Sequence, residues 1–301
     1  MNKLKKILPK LAFGTWPISG AREWGAFDDI EVQKVLHALL ENNITCIDTA
    51  AIYGLGGAEN LLGKFFKDVP RKNFILTSKC GLLPNERAVK FDLSAVSLQT
   101  QIEDTLRRLN TDYLDIYFLH WPDKNTPLEE TLIQMDKFRK EGKIRFIGLS
   151  NFTENLIRQA VKITKIDCLQ NEFSLLNQEN KKLFPLVKEL DLAFMAYGVL
   201  NGGILSGKYN QAPNLAKTDV RSFFYKFYKG ENFLKAQKVA NLLKQIHQAS
   251  MAQAAINFVL SFEEVTCAIF GAKTLKQLKE NAGALSWKLT TEQKNLLCKN
   301  Y

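Results

Sequence analysis

The chain has 301 residues, 46% of them hydrophobic and 24% charged, with a net charge of +10. That balance suffices for a large core, and no apolar run, A-F-M-A-Y-G-V-L included, approaches the ~20 residues of a membrane span. The basic start M-N-K-L-K-K runs into Pro9 and Lys10 without a signal-peptide apolar stretch, and the lysines are scattered along helical faces with no aromatic–basic RNP platform, so neither a membrane nor a nucleic acid is the expected partner.

In chain order the pattern predicts a strand at Lys10–Phe13, a helix over Ile30–Glu41, strands at Thr45–Asp48 and Phe74–Ser78, a helix over Leu98–Leu109 and a strand at Leu114–Leu119. There follow a helix over Leu128–Lys140, a strand at Ile144–Leu149, a helix over Thr153–Ile163, strands at Cys168–Asn171 and Ala193–Ala196, a helix over Phe233–Gln248 and a strand at Cys267–Phe270. Eight buried strands alternating with amphipathic helices predict a (β/α)8 barrel, an α/β class fold, with residues 1–301 as one domain, since such barrels run to about 250 residues or more and nothing resembles a linker. In a barrel the functional loops follow the strand C-termini, where Trp16, Asp48, Lys79, His120, Ser150, Gln170, Tyr197 and Gly271 fall.

Five cysteines, Cys46, Cys80, Cys168, Cys267 and Cys298, form no C-x-x-C pair and read as small buried hydrophobes in a reducing compartment, so a cytoplasmic location is expected. Cys80, beside Lys79, is the one expected to be open to oxidation. His37 and His247 fall in helical patterns without partner motifs and read as surface or packing residues.

Asp48 and Tyr53 in C-I-D-T-A-A-I-Y-G, Lys79 in L-T-S-K-C-G and His120 in L-H-W-P-D suit hydride chemistry on a carbonyl once gathered at one barrel end. An ammonium about 4 Å from a phenol, at an effective dielectric of about 20, favours the phenolate by about 4 kcal/mol. On a scale of about 1.4 kcal/mol per pKa unit, that predicts a Tyr53 lowered by as much as about 3 pKa units and suited to proton transfer near neutrality. Asp48 is the counter-ion that keeps a partly buried Lys79 charged. His120 would donate to the substrate oxygen, and neither nucleophile nor metal is required. Read singly, each has a plainer interpretation: a turn or core ring for Tyr53, a solvated strand-end lysine, a satisfied core histidine.

Two nucleotide motifs are almost present. Gly54 to Glu59 begins like G-x-G-x-x-G, but Glu59 stands at the third glycine and the segment does not directly follow a strand; Gly202 to Lys208 matches G-x-x-x-x-G-K, but Tyr209 replaces the Ser or Thr that holds Mg²⁺. These glycines read instead as sites where backbone approaches a pyrophosphate closely.

D-T-A-x-x-Y-G, the strand-end lysine, L-H-W-P-D, G-L-S-N-F, L-Q-N-E-F-S, A-Y-G-V-L-N-G-G-I-L-S-G-K-Y and G-A-K-T-L-K-Q-L-K-E-N stand in the order found in aldo-keto reductases, and the chain resembles that family over roughly residues 10 to 285. The resemblance implies that Asp48, Tyr53, Lys79 and His120 are the catalytic tetrad. It implies that Thr15, Trp16 and Asp48 border the cofactor, that Ser150, Asn151 and Gln170 clamp a nicotinamide carboxamide, and that Tyr197 stacks on its ring. For Ser150 and Asn151 a helix-capping role near Thr153 is the alternative. Leu200, Gly203, Ser206 and Lys208 resemble the pyrophosphate loop, and Gly271, Lys273, Gln277, Glu280 and Asn281 the adenosine end, with Lys273 toward a 2′-phosphate and Asn281 toward adenine. The implied cofactor is therefore NADPH/NADP+, with NADH possible.

Val199 and Phe270 stand where the family commonly has proline, and Lys273 where arginine is common, offering a point charge in place of a planar fork. Trp16, Tyr53, His120 and Trp121 are the candidate substrate residues. Trp24, Phe223, Phe224, Tyr225 and Phe227 belong to loops that either close over the mouth as a lid or pack onto the barrel wall, and Arg221 is a weaker candidate for cofactor contact. Aromatic walls accept apolar and sugar-ring surfaces alike. The expected activity is reversible NADP(H)-dependent reduction of an aldehyde, ketone or sugar carbonyl with Tyr53 as general acid/base. The alternatives are an aldose or alcohol dehydrogenase working in the oxidative direction, and a cofactor-bound regulatory subunit like the channel β-subunits that share the fold.

Overall fold

The computed structural model describes residues 2–85, 88–246 and 249–299. Its strands are β1 (Leu11–Gly14), β2 (Cys46–Asp48), β3 (Ile75–Cys80), β4 (Leu82–Asn85), β5 (Ala88–Phe91), β6 (Leu114–Leu119), β7 (Ile144–Ser150), β8 (Cys168–Glu172), β9 (Ala193–Tyr197) and β10 (Cys267–Phe270). Eight of them close into a barrel in the order β1-β10-β9-β8-β7-β6-β3-β2, every neighbouring pair parallel. The remaining two, β4 and β5, form an antiparallel hairpin.

All eight predicted strands are present, with ends that slide by one or two residues. The largest slide extends β3 through Lys79 and Cys80, so this lysine stands within the strand and not beyond it. Strands such as β1 and β6 are buried at every position because helices cover one face and the packed barrel interior the other. The helices at Ala95–Leu109, Leu128–Lys140 and Glu154–Ile163 match their predicted spans closely; the first begins three residues early, where Ser94 accepts from the Ser97 N–H as N-cap. The helix predicted from Ile30 ends at His37 and continues as a 3-10 turn at Leu40–Asn42. That predicted from Phe233 runs from Gly230 to Leu243; Gln248 and His247 lie outside the described residues. His37 is exposed, its ring edge-on to Phe65 at 5.4 Å, a packing role as expected.

The N-terminal end of the barrel is closed by a helix at Lys3–Ile7 that is too short to show helical periodicity. Leu4 and Leu8 pack into an interior cluster with Ala12, Cys46, Ile116, Cys168, Met195 and Cys267. Asn2 fixes the plug by donating to the carbonyls of Asp167 and Asp191, which directly precede β8 and the Leu192–β9 segment. Beside β3, the fully buried Glu59 on the helix Gly57–Asp68 accepts from the Ser78 hydroxyl at 2.6 Å and from Arg108 Nε at 2.7 Å. This ion pair locks two helices to the strand residue next to Lys79, and it gives a structural reason for glutamate at the position where a dinucleotide fingerprint would need glycine.

Candidate active site

The C-terminal ends of the strands bring the candidate residues together. Asp48 ends β2, Lys79 lies in β3, His120 follows β6, Ser150 ends β7, Gln170 lies in β8, Tyr197 ends β9 and Gly271 follows β10. Tyr53 stands on a 3-10 turn at Tyr53–Gly56, reached from β2 through a loop whose Thr49 N–H donates to Thr77 O.

Lys79 is the hub. Its ammonium donates to Asp48 Oδ2 at 2.7 Å, to the Thr49 carbonyl at 2.9 Å and to the Tyr53 hydroxyl oxygen at 3.3 Å, which uses all three of its protons. Asp48 Oδ1 accepts from Thr77 Oγ1 at 2.7 Å and Gln170 Nε2 at 2.8 Å, so the buried ion pair is hydrogen-bonded on both sides. The Tyr53 ring lies edge-on to His120 at 5.9 Å and stacks against Trp16 at 5.5 Å with 14° between the planes.

The electrostatics differ from the expectation in direction. Tyr53 is pushed well above its ordinary value, first by burial and then by the carboxylates of Asp48 and Glu23. The reading from a lone ammonium fails because Asp48 already engages that ammonium at 2.7 Å; what reaches the phenol is a nearly neutral pair, and loss of solvent dominates. Burial also lowers Lys79, against the support of Asp48. His120 falls well below its ordinary value through burial and then the Lys79 charge, so its ring is neutral; its Nδ1 is enclosed without a hydrogen-bond partner. The site thus presents a protonated phenol and an uncharged imidazole, with the phenol oxygen accepting from Lys79 and its own O–H left to donate.

A cavity of ≈ 1670 Å³ opens over this group. Asp48, Tyr53 and His120 line it, while Lys79 lies beneath. Trp16, Trp121, Ser150, Asn151, Gln170, Tyr197, Leu200, Gly203, Ser206, Lys208, Gly271, Lys273, Gln277, Glu280 and Asn281 line it too. Thr15 does not: it is fully buried, its hydroxyl donating to Thr49 Oγ1 at 2.8 Å, so it supports the loop under Asp48. Ser150 and Asn151 are not capping residues, since Thr153 itself caps the helix by accepting from the Leu156 N–H. Instead Asn151, at φ 62°, donates to the His120 carbonyl and accepts from the Tyr197 hydroxyl at 2.8 Å, joining three strand ends.

Toward the far end, the half-buried Lys273 donates to the Trp24 carbonyl at 2.6 Å, and burial followed by the charges of Arg221 and Lys208 brings it down to about 8. Arg221 is held by Asp219 and Tyr209. These three cations border one region of the cavity, close to backbone that swings through left-handed turns at Gly202 and Gly203. A Cβ at Gly271 would stand 2.5 Å from the Pro17 ring, so glycine is required where that backbone passes the mouth. The volume, the glycine-lined backbone and the clustered cations fit an anionic dinucleotide with room beside it for a small molecule.

The aromatic loop stands over the mouth, where Phe224 packs edge-on to Trp16 at 5.1 Å and Trp24 does so at 5.3 Å. Tyr225 and Tyr228 are buried, while Phe223 is 68% exposed. Two contributors escaped the sequence reading: the β4–β5 hairpin, whose Leu82, Pro84, Asn85 and Val89 line the cavity, and Glu23. Cys80, expected to be open to oxidation, is buried, its thiol bonded to the Phe118 carbonyl and raised to about 12, first by burial; Cys298 alone among the cysteines is partly exposed.

Residues 10–299 match the model of the aldo/keto reductase family. The chain is 30% identical over 288 residues to the aldo-keto reductase YhdN of Bacillus subtilis (strain 168), covering 94% of this chain and 87% of that protein. It is 28% identical over 315 residues to the NADH-specific methylglyoxal reductase of Escherichia coli (strain K12), covering 96% and 94%. Among solved structures it is similar to a glycerol dehydrogenase of Gluconobacter oxydans, with 30% identity, a TM-score of 0.86, and 97% and 91% of the two chains covered.

Proposed function

From the premise that the chain belongs to the aldo-keto reductase family, as an NAD(P)H-dependent oxidoreductase, we propose that it reduces a small aldehyde, ketone or sugar carbonyl with Tyr53 as proton donor. The observation that carries this reading is the Lys79 ammonium between Asp48 Oδ2 and the Tyr53 oxygen. A nicotinamide dinucleotide, when bound, supplies or accepts the hydride. The chain's own residues then manage the oxygen: Tyr53 gives it the proton, Lys79 stabilises the phenolate left behind, and Asp48 keeps Lys79 charged. Neutral His120 orients the carbonyl oxygen beside the phenol.

Ser150, Asn151 and Gln170 supply amide and hydroxyl groups of both polarities for a carboxamide, and the Tyr197 ring offers a stacking face. Leu200, Gly203, Ser206 and Lys208 suit the pyrophosphate, and Gly271, Lys273, Gln277, Glu280 and Asn281 the adenosine. Lys273, flanked by Arg221 and Lys208, supports NADPH as the preferred cofactor, even though one relative is named for NADH. The protonated Tyr53 is the form from which reduction starts, and oxidation of an alcohol uses the same residues in reverse. Four buried free cysteines support a reducing, cytoplasmic setting.

The test is turnover of a carbonyl panel that includes methylglyoxal, with NADPH and NADH, alongside oxidation of glycerol. Reduction with NADPH exceeding both NADH turnover and alcohol oxidation is expected. Tight cofactor binding without turnover of any member would overturn the assignment.

A further inference from the structure

Glu23 belongs to the short helix Ala21–Trp24 on the loop after β1 and lines the cavity. Its carboxylate accepts hydrogen bonds from two different loops. Oε2 takes the Trp16 indole N–H at 2.9 Å and the Ser19 hydroxyl at 3.0 Å, and Oε1 takes the backbone N–H of Gly54 at 3.3 Å. Gly54 directly follows Tyr53, and Trp16 is the ring stacked on Tyr53. The two loops also touch through backbone: at φ 58°, a Cβ on Gly54 would lie 1.9 Å from the Ser19 carbonyl oxygen. Trp16, Glu23 and the Tyr53 turn therefore form one unit, and the carboxylate is its joint. Hydrogen bonds to an ionised acceptor are about twice as strong as neutral ones, so the joint is firm.

We propose that Glu23 is a positioning residue for the reduction: by tethering the Trp16 indole and the Gly54 backbone to one carboxylate, it fixes the Tyr53 ring between Trp16 and Lys79 with its hydroxyl toward the substrate oxygen. This rests on the reading of Tyr53 as proton donor. The tether also engages the one polar atom of the Trp16 side chain, so the indole presents an apolar face to the cavity. The Glu23 charge adds to burial and Asp48 in keeping the phenol protonated.

The test uses the full-length enzyme with saturating NADPH and the best carbonyl of the panel. Glu23→Ala is expected to lower kcat about 10- to 100-fold, the cost of a small misplacement of a catalytic group, with NADPH affinity unchanged. Glu23→Gln keeps one oxygen acceptor for the indole N–H but sets its amide NH2 against the Gly54 N–H, so it is expected to restore kcat only in part, to a value between Glu23→Ala and the wild type. Trp16→Phe removes that N–H, so in the Glu23→Ala/Trp16→Phe double variant the losses are expected not to add. Wild-type kcat in Glu23→Ala, additive losses in the double variant, or parallel loss of kcat, NADPH affinity and thermal midpoint without rescue by glutamine would each overturn the proposal. Tyr53→Phe, measured alongside, separates the two levels: an active Tyr53→Phe removes the proton-donor reading itself, whereas an inactive one with a neutral Glu23→Ala removes only the tether.

Discussion

Lys79 and Tyr53 meet at 3.3 Å, Nζ donating to the phenol oxygen, while the same ammonium is held at 2.7 Å by Asp48. The lysine thus does not bring the tyrosine below its ordinary value, because burial outweighs it in the resting site. It occupies the phenol's acceptor side, leaves the O–H free to donate, and stands ready to stabilise the phenolate that proton transfer creates.

This ion pair is 2–3% exposed, so removing one partner strands the other. Asp48→Asn is expected to destabilise the fold by about 3–5 kcal/mol, read by urea denaturation, and to suppress turnover. Asp48→Asn/Lys79→Met, which removes both charges, should recover much of that stability and none of the turnover. A double variant less stable than Asp48→Asn would show that the charge pair is not what the single change breaks.

The two titrating side chains at the mouth predict the pH profile. Tyr53 is raised from its ordinary 10.0 and His120 lowered from its ordinary 6.5, so both keep their working protonation state between those values. The kcat for reduction should be flat through the neutral range, and an acid fall beginning at pH 6.5 would contradict the neutral state of His120; an alkaline fall short of 10.0 belongs to Lys79, which burial lowers from its ordinary 10.5. For stability, below pH 6.5 the unfolded chain binds a proton at His120 that the folded one refuses, so the His120 contribution is present above 6.5 and is lost as pH falls.

Lys273→Ala should weaken NADPH binding about 10- to 100-fold while changing NADH binding much less, measured by fluorescence titration of each cofactor. Equal losses for both would place Lys273 away from the 2′-phosphate.

Cysteine labelling should distinguish the interior from the surface. In the native protein a thiol reagent is expected to modify Cys298 and spare Cys80, whose thiol is buried and raised to about 12. Rapid native modification of Cys80 would mean that the barrel opens at β3 and β6.

Much of the barrel was legible because its buried strands read as short apolar runs at regular spacing, and because Asp48, Lys79, His120 and Ser150 each sit at or beside the end of such a run. The β4–β5 hairpin escaped because each arm is four residues, one carrying Pro84, with no alternation long enough to register. Glu23 escaped because its partners, Trp16, Ser19 and Gly54, become neighbours only through loop packing. The acidity of Tyr53 is not legible for a related reason: sequence supplies the identities of neighbouring charges but not the burial that outweighs them.

Tyr53→Phe tests the central claim most directly. The account predicts that this variant binds NADPH as the wild type does, because the hydroxyl acts on substrate, while reduction of every carbonyl in the panel is abolished. Reduction at the wild-type rate by Tyr53→Phe would contradict it.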